Sequence, residues 1–131
     1  MLNIGVIGCG AIGRDHIRRL HDLVPGCQVI ACSDYLEEAA RKTAAQYEGL
    51  RAYATGEELI AAPEVHAVLI ASSDPCHAGY VLECLKHGKF VFCEKPLAQN
   101  ADDCEKIIQA ECAQGRRLVQ VGFMRRYDRG Y

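Results

Sequence analysis

The sequence predicts an α/β domain: one parallel sheet of six strands, doubly wound, with helices on both faces. Three observations carry this. Six short apolar runs recur along the 131 residues. Segments with helical apolar spacing lie between them. The runs are apolar throughout rather than alternating, as in strands buried on both faces.

Leu2 to Ile7 is an apolar run that stops at a glycine, a buried strand. Ala11 to Val24 carries Ile12, Ile17, Leu20 and Leu23 at helical spacing, and Pro25-Gly26 ends it. Gln28 to Ser33 is the second strand. Leu36 to Glu48, Ala-rich and charged, is a helix with Gly49 as its stop. Arg51 to Ala54 is a short third strand and Gly56 to Ala62 a short helix. Ala67 to Ala71 is the fourth strand. Pro75 to His87 is a helix with Val81, Leu82 and Leu85 on one face, Pro at its start and Gly88 past its end. Phe90 to Cys93 is the fifth strand. Asn100 is an N-cap, and Asp102 and Asp103 favour the first turn's dipole. Ile107, Ile108 and Cys112 line that helix, Gly115 ends it, and Leu118 to Val121 is the sixth strand. A boundary follows Val121. Residues 1–121 form the domain, and 122–131 look like a lead-in to another.

The length suits one domain, which buries about two thirds of its unfolded surface. The formal charge is −2, from 15 Lys plus Arg against 17 Asp plus Glu, so no nucleic-acid partner is expected. No apolar run approaches the roughly 20 residues of a membrane helix. The apolar start is too short for a signal peptide and lacks a basic region before it, so a cytoplasmic chain with no membrane partner is expected. The eight cysteines include no C-x-x-C pair, which argues against structural zinc, and their apolar settings suggest reduced core residues. His16, His21, His66 and His87 share no metal-like spacing and read as surface or helix residues. No metal site is expected.

Gly8-Cys9-Gly10-Ala11-Ile12-Gly13 is G-x-G-x-x-G between a strand and a helix, the context in which this motif holds a dinucleotide. Gly8 permits the tight turn. Gly10 lets the backbone approach a pyrophosphate, and Gly13 lets helix and strand pack closely. The helix N-terminus, with Ala11 and Ile12, presents free N–H groups to phosphate. Asp34 ends the second strand 21 positions after Gly13, where such folds place the carboxylate that bonds the adenosine ribose. It would repel a 2′-phosphate, and Tyr35-Leu36 follow rather than a base, so NAD is favoured over NADP. A helix-capping role for Asp34 is compatible with this. Glu94-Lys95-Pro96 follows the fifth strand, at the edge where ligands bind. Lys95 there could bond a substrate hydroxyl or relay its proton. The plainer alternative is a solvated loop lysine.

These segments, with Phe90-Val91-Phe92-Cys93-Glu94-Lys95-Pro96-Leu97, resemble the family of glucose-fructose oxidoreductase, inositol dehydrogenase and the MocA proteins. Pro75-Cys76-His77 and His87-Gly88-Lys89 also fit it. The tail Val121-Gly122-Phe123-Met124-Arg125-Arg126-Tyr127-Asp128 is similar to the inositol 2-dehydrogenases. The resemblance covers essentially the whole chain.

The resemblance implies a Rossmann fold, NAD as cofactor and a cyclic polyol or sugar as substrate, with myo-inositol foremost. It implies that Lys95 contacts the substrate hydroxyl and supports proton transfer, and that Glu94 helps hold the loop. Ser72 and Ser73 would lie against the cofactor, and His77 near the nicotinamide. The alternative for His77 is a helix-start histidine bonded to backbone. Met124 and Arg125 would reach substrate. The family's D-x-x-x-H pair does not occur after Lys95. From this a missing C-terminal substrate domain is expected, and a fragment that binds NAD without turnover. The full-length enzyme is expected to be a tetramer and the fragment a monomer. The rivals are a dinucleotide sensor without chemistry, a dehydrogenase of another sugar, and an S-adenosylmethionine-binding Rossmann domain.

Overall fold

The computed structural model describes all residues, Met1–Tyr131. Six strands form: β1 (Leu2–Ile7), β2 (Cys27–Ser33), β3 (Arg51–Ala52), β4 (Ala67–Ile70), β5 (Phe90–Glu94) and β6 (Val119–Gly122). They make one sheet in the order β3-β2-β1-β4-β5-β6. Every neighbouring pair is parallel. Five helices connect them: α1 (Ala11–Asp22), α2 (Glu37–Ala44), α3 (Gly56–Ala61), α4 (His77–Lys86) and α5 (Ala101–Ala113). This is the doubly wound Rossmann order, with its topological switch between β1 and β4.

Right-handed crossovers put α1 and α2 on one face and α3, α4 and α5 on the other. Two apolar clusters follow from this. One gathers Ile4, Val6, Ile17, Val29, Ala40 and Leu69. The other gathers Leu59, Ile60, Val68, Ile70, Val81 and Ile107. Within β4, Val68 and Ile70 point to one cluster and Leu69 to the other. That alternation of direction, with no alternation of polarity, is why the strand reads as continuously apolar. Lys89 fastens the start of β5 by donating from Nζ to the carbonyls of Ala62 (2.8 Å) and Val65 (2.5 Å).

Several boundaries differ from expectation for local reasons. α1 ends at Asp22 with Leu23 as its C-cap, two residues short of Val24. α2 starts at Glu37 and stops at Ala44, short of Glu48. Beyond it, Gln46 and Tyr47 donate to the carbonyls three residues back, so the chain tightens into turns before Gly49. The segment at Pro75 is a short 3₁₀ turn, Asp74–Cys76, and α4 begins only at His77. Pro75 and its neighbours thus enter the helix by a tighter winding. β3 pairs through two residues only, and β6 is displaced by one residue to end at Gly122. The Asn100 cap forms as expected, its Oδ1 accepting from the Asp103 N–H at 2.8 Å.

All eight cysteines are free. Cys9, Cys32, Cys84 and Cys93 are buried, whereas Cys76 and Cys112 are exposed, so the core role extends to half of them. Burial pushes the thiols of Cys84 and Cys93 up to about 12.

Two helices against three leave unequal cover. On the α1 side, the surface of β4, β5 and β6 away from α1 carries no helix. Ile4, Leu20, Val24, Leu69, Phe90 and Phe92 line an open groove there of about 640 Å3. Phe90 is 46% exposed. No helix is long and apolar enough to cross a membrane.

Candidate functional site

Because all six strands are parallel, their C-terminal ends share one edge of the sheet. That edge gathers Gly8 after β1, Asp34 after β2, Ser72 after β4 and Lys95 after β5. The register fixes neighbours along it. Ile7 pairs with Ser33 on one side and with Ile70 on the other. Glu94 pairs with Gly122.

The glycine turn is built at contact distance. Gly8 has φ +105°, a region that side chains disfavour, and a β-carbon there would strike the Ala71 carbonyl and the Ser72 nitrogen. A β-carbon on Gly13 would collide with the Gly8 carbonyl oxygen. Beside Gly10, by contrast, a β-carbon would meet nothing within 4 Å. The space there is open, and a side chain would fill it. Gly10 is the N-cap of α1 and supplies no side-chain bond to the helix. The first-turn N–H groups of exposed Ala11 and Ile12, and of buried Gly13, therefore lack intrahelical partners.

Asp34 is held in place. Its Oδ1 accepts from the Cys9 N–H at 2.7 Å and its Oδ2 from the Leu36 N–H at 2.9 Å. These bonds leave room for a ribose as well, because two bonds leave a carboxylate with two further acceptor sites. Across the switch point, the Ser72 hydroxyl is buried without a partner, as is that of Ser33 beside Asp34. A buried hydroxyl left unpaired costs about 1–3 kcal/mol. Ser73 is exposed at the same loop. Open space at Gly10, spare lone pairs on Asp34 and the orphaned Ser72 hydroxyl all fit a dinucleotide.

His77 starts α4, as expected, and its side chain turns inward. Its ring is 1% exposed, with Nδ1 2.7 Å from the Pro96 carbonyl oxygen and Nε2 2.9 Å from that of Ser72. Both ring nitrogens face backbone carbonyls, the bonding that the helix-start alternative describes.

The Lys95-Pro96 peptide is cis. Lys95 is exposed at the edge. Glu94 is bonded to His16 of α1, whose Nε2–H donates to Oε1 at 2.7 Å. The His16 ring meets Phe92 edge-on at 5.7 Å. His16 is thus a helix residue, as expected, and one that also reaches across to β5. The contact spans 78 positions, and no linear spacing announces it. Met124 and Arg125 lie in a 3₁₀ turn, Met124–Tyr127, just past β6. The Glu94–Gly122 register sets the ends of β5 and β6 side by side, with Lys95 following one and this turn the other. Met124 is exposed, and Arg125 donates from Nη1 to Asp128 Oδ2 at 3.1 Å.

Residues 2–123 match a family model described as "Oxidoreductase family, NAD-binding Rossmann fold", the Gfo/Idh/MocA family. The chain belongs to this family. Among its relatives, an inositol 2-dehydrogenase of Burkholderia multivorans is 55% identical over 131 residues. Another, of Pseudomonas savastanoi pv. phaseolicola, is 56% identical. Each match covers 99% of this chain and 39% of the relative. A solved myo-inositol dehydrogenase of Lactobacillus casei, in complex with NAD(H) and myo-inositol, superposes with a TM-score of 0.94 at 37% identity. It covers 99% of this chain, which spans 39% of that structure. The Gfo/Idh/MocA membership gives the domain its cofactor, NAD.

Proposed function

We propose that this chain is the NAD-binding domain of an inositol dehydrogenase, with myo-inositol as the foremost substrate. The observation that supports this most is the 55% identity to an inositol 2-dehydrogenase along 99% of the chain. In this reading residues 1–121 form the cofactor domain and 122–131 lead into a substrate domain.

The chemistry a bound NAD⁺ supplies is acceptance of a hydride, which turns a ring alcohol into a ketone. The residues of this chain bind and orient. Gly8 shapes the turn, its own N–H being spent on the Ser33 carbonyl, and Gly10, Ala11, Ile12 and Gly13 turn the start of α1 and its backbone N–H groups toward the pyrophosphate. Asp34 accepts from the adenosine ribose hydroxyls, and its charge discriminates against a 2′-phosphate. Ser72 and Ser73 face the nicotinamide half. Lys95 donates to the reacting hydroxyl's oxygen and supports movement of its proton. Met124 and Arg125 bound the substrate side, where a guanidinium fork suits neighbouring hydroxyls.

Calorimetric titration of the chain with NAD⁺, NADP⁺ and S-adenosylmethionine tests the cofactor half. NAD⁺ should bind tightest. A preference for NADP⁺ would overturn the role of Asp34, and binding of S-adenosylmethionine alone would overturn the dinucleotide reading. Incubation of the chain with NAD⁺ and myo-inositol should yield no NADH.

A further inference from the structure

Lys95 is exposed, so its direction is set by the backbone on either side of it. Both neighbours are held by histidines from elsewhere in the fold. On one side, His16 of α1 donates to the Glu94 carboxylate at 2.7 Å. On the other, His77 of α4 reaches the Pro96 carbonyl at 2.7 Å and the Ser72 carbonyl at 2.9 Å. Both contacts are sheltered. The His16 and Glu94 side chains are 25% and 19% exposed, and His77 is fully enclosed.

We propose that His16 and His77 are positioning residues that clasp the two neighbours of Lys95 and so aim it across the cofactor edge. The proposal rests on the reading of Lys95 as the substrate-side residue. Each clasp also ties the lysine loop to a piece of the cofactor site. His16 lies on α1, the helix whose N-terminus receives the pyrophosphate. His77 bridges to Ser72, whose hydroxyl is orphaned at the switch point. The lysine loop is thus registered to both halves of the dinucleotide groove by contacts that need no ligand. A carboxylate and a carbonyl oxygen only accept. The Glu94 clasp therefore needs one N–H from His16, and the bridge between two carbonyls needs two from His77; a glutamine amide has two and a phenylalanine none.

The test measures backbone order by ¹⁵N relaxation on the 131-residue chain. His16→Phe, His16→Gln, His77→Phe and His77→Gln are compared, with Glu94→Ala removing the first clasp from its other end. In the parent chain the Lys95 amide should have an order parameter of about 0.85, falling below about 0.6 in each Phe variant and in Glu94→Ala. The amides of Val91 and Phe92 should keep their values, and each Gln variant should restore Lys95. NAD⁺ affinity should change less than threefold throughout. An unchanged Lys95 amide in Glu94→Ala or in a folded Phe variant would overturn the proposal. So would equal loss of order along all of β5, which marks a purely structural role. A tenfold loss of NAD⁺ affinity in both His77 variants would also overturn it, making His77 a cofactor residue. Failure of the parent chain to bind NAD⁺ would defeat the dinucleotide reading alone, because the clasp is measured without ligand.

Discussion

Gly13 lies so close under Gly8 that a β-carbon on Gly13 would collide with the Gly8 carbonyl oxygen. Gly10, between them, faces open space. The same motif thus contains a position set by folding and another that folding leaves open. Gly13→Ala should destabilise the chain by about 3 kcal/mol, since backbone has to move to admit the methyl group. Gly10→Ala should cost under about 1 kcal/mol, the cap preference alone, yet weaken NAD⁺ binding at least tenfold. Urea denaturation and calorimetry check the pair. Equal destabilisation by both substitutions would contradict the division.

Asp34 holds the Cys9 and Leu36 N–H groups and keeps acceptor capacity free. Asp34→Ala should weaken NAD⁺ binding about tenfold, or about 1.4 kcal/mol. It should also shift the ratio of NAD⁺ to NADP⁺ affinity toward NADP⁺. An unchanged ratio would mean that the carboxylate does not read the ribose.

Much of the fold is legible because its signals are local. The Asn100 cap, the glycine stops at Gly88 and Gly115 and the apolar run of β4 each act within a few residues, and the structure places them close to where they are expected. Strand ends in a parallel sheet then bring Gly8, Asp34 and Lys95 to one edge without further information. Contacts that close across the fold are not legible in this way. His16 and Glu94 are 78 positions apart, and α1 must be docked before they meet. His77 shows the complementary case. Its place at a helix start is visible, but the carbonyls that take both its ring nitrogens come from two loops. The end of α2 misleads for a third reason: residues 45–48 have helical composition, but Gln46 and Tyr47 spend their N–H groups on turns.

Glu111 accepts the N–H groups of Leu118 and Val119 on Oε1, each at 2.9 Å, and so anchors β6 to α5. The Val119 and Leu118 bonds hold its carboxyl below the ordinary 4.5. A lowered folded value means stability that is fully present above about pH 4.5 and is lost as the pH falls through the folded value. Glu111→Ala should cost about 1 kcal/mol at neutral pH, the net worth of such bonds near the surface. The gap between parent and variant should close as the pH falls well below 4.5. A gap that is constant with pH would remove the charge from the explanation.

Thiol chemistry should follow burial. At about pH 8, iodoacetamide should modify Cys76 and Cys112 first, because thiolate and access are both required. Cys84 and Cys93, buried and pushed up to about 12, should react only after denaturation. Peptide mapping by mass spectrometry gives the order. Early labelling of Cys84 would mean that α4 opens far more readily than its packing allows.

The uncovered groove over Phe90 and Phe92 has a practical consequence. Parallel sheets have no face suited to water, and an apolar patch of this kind drives solution behaviour as strongly as the charge balance does. The isolated chain should light up hydrophobic dyes while fully native. It should also scatter more light per molecule as it is concentrated and salt out early. Dye binding, the usual sign of a partly unfolded protein, would here report a sheet in its finished shape with one flank left wet.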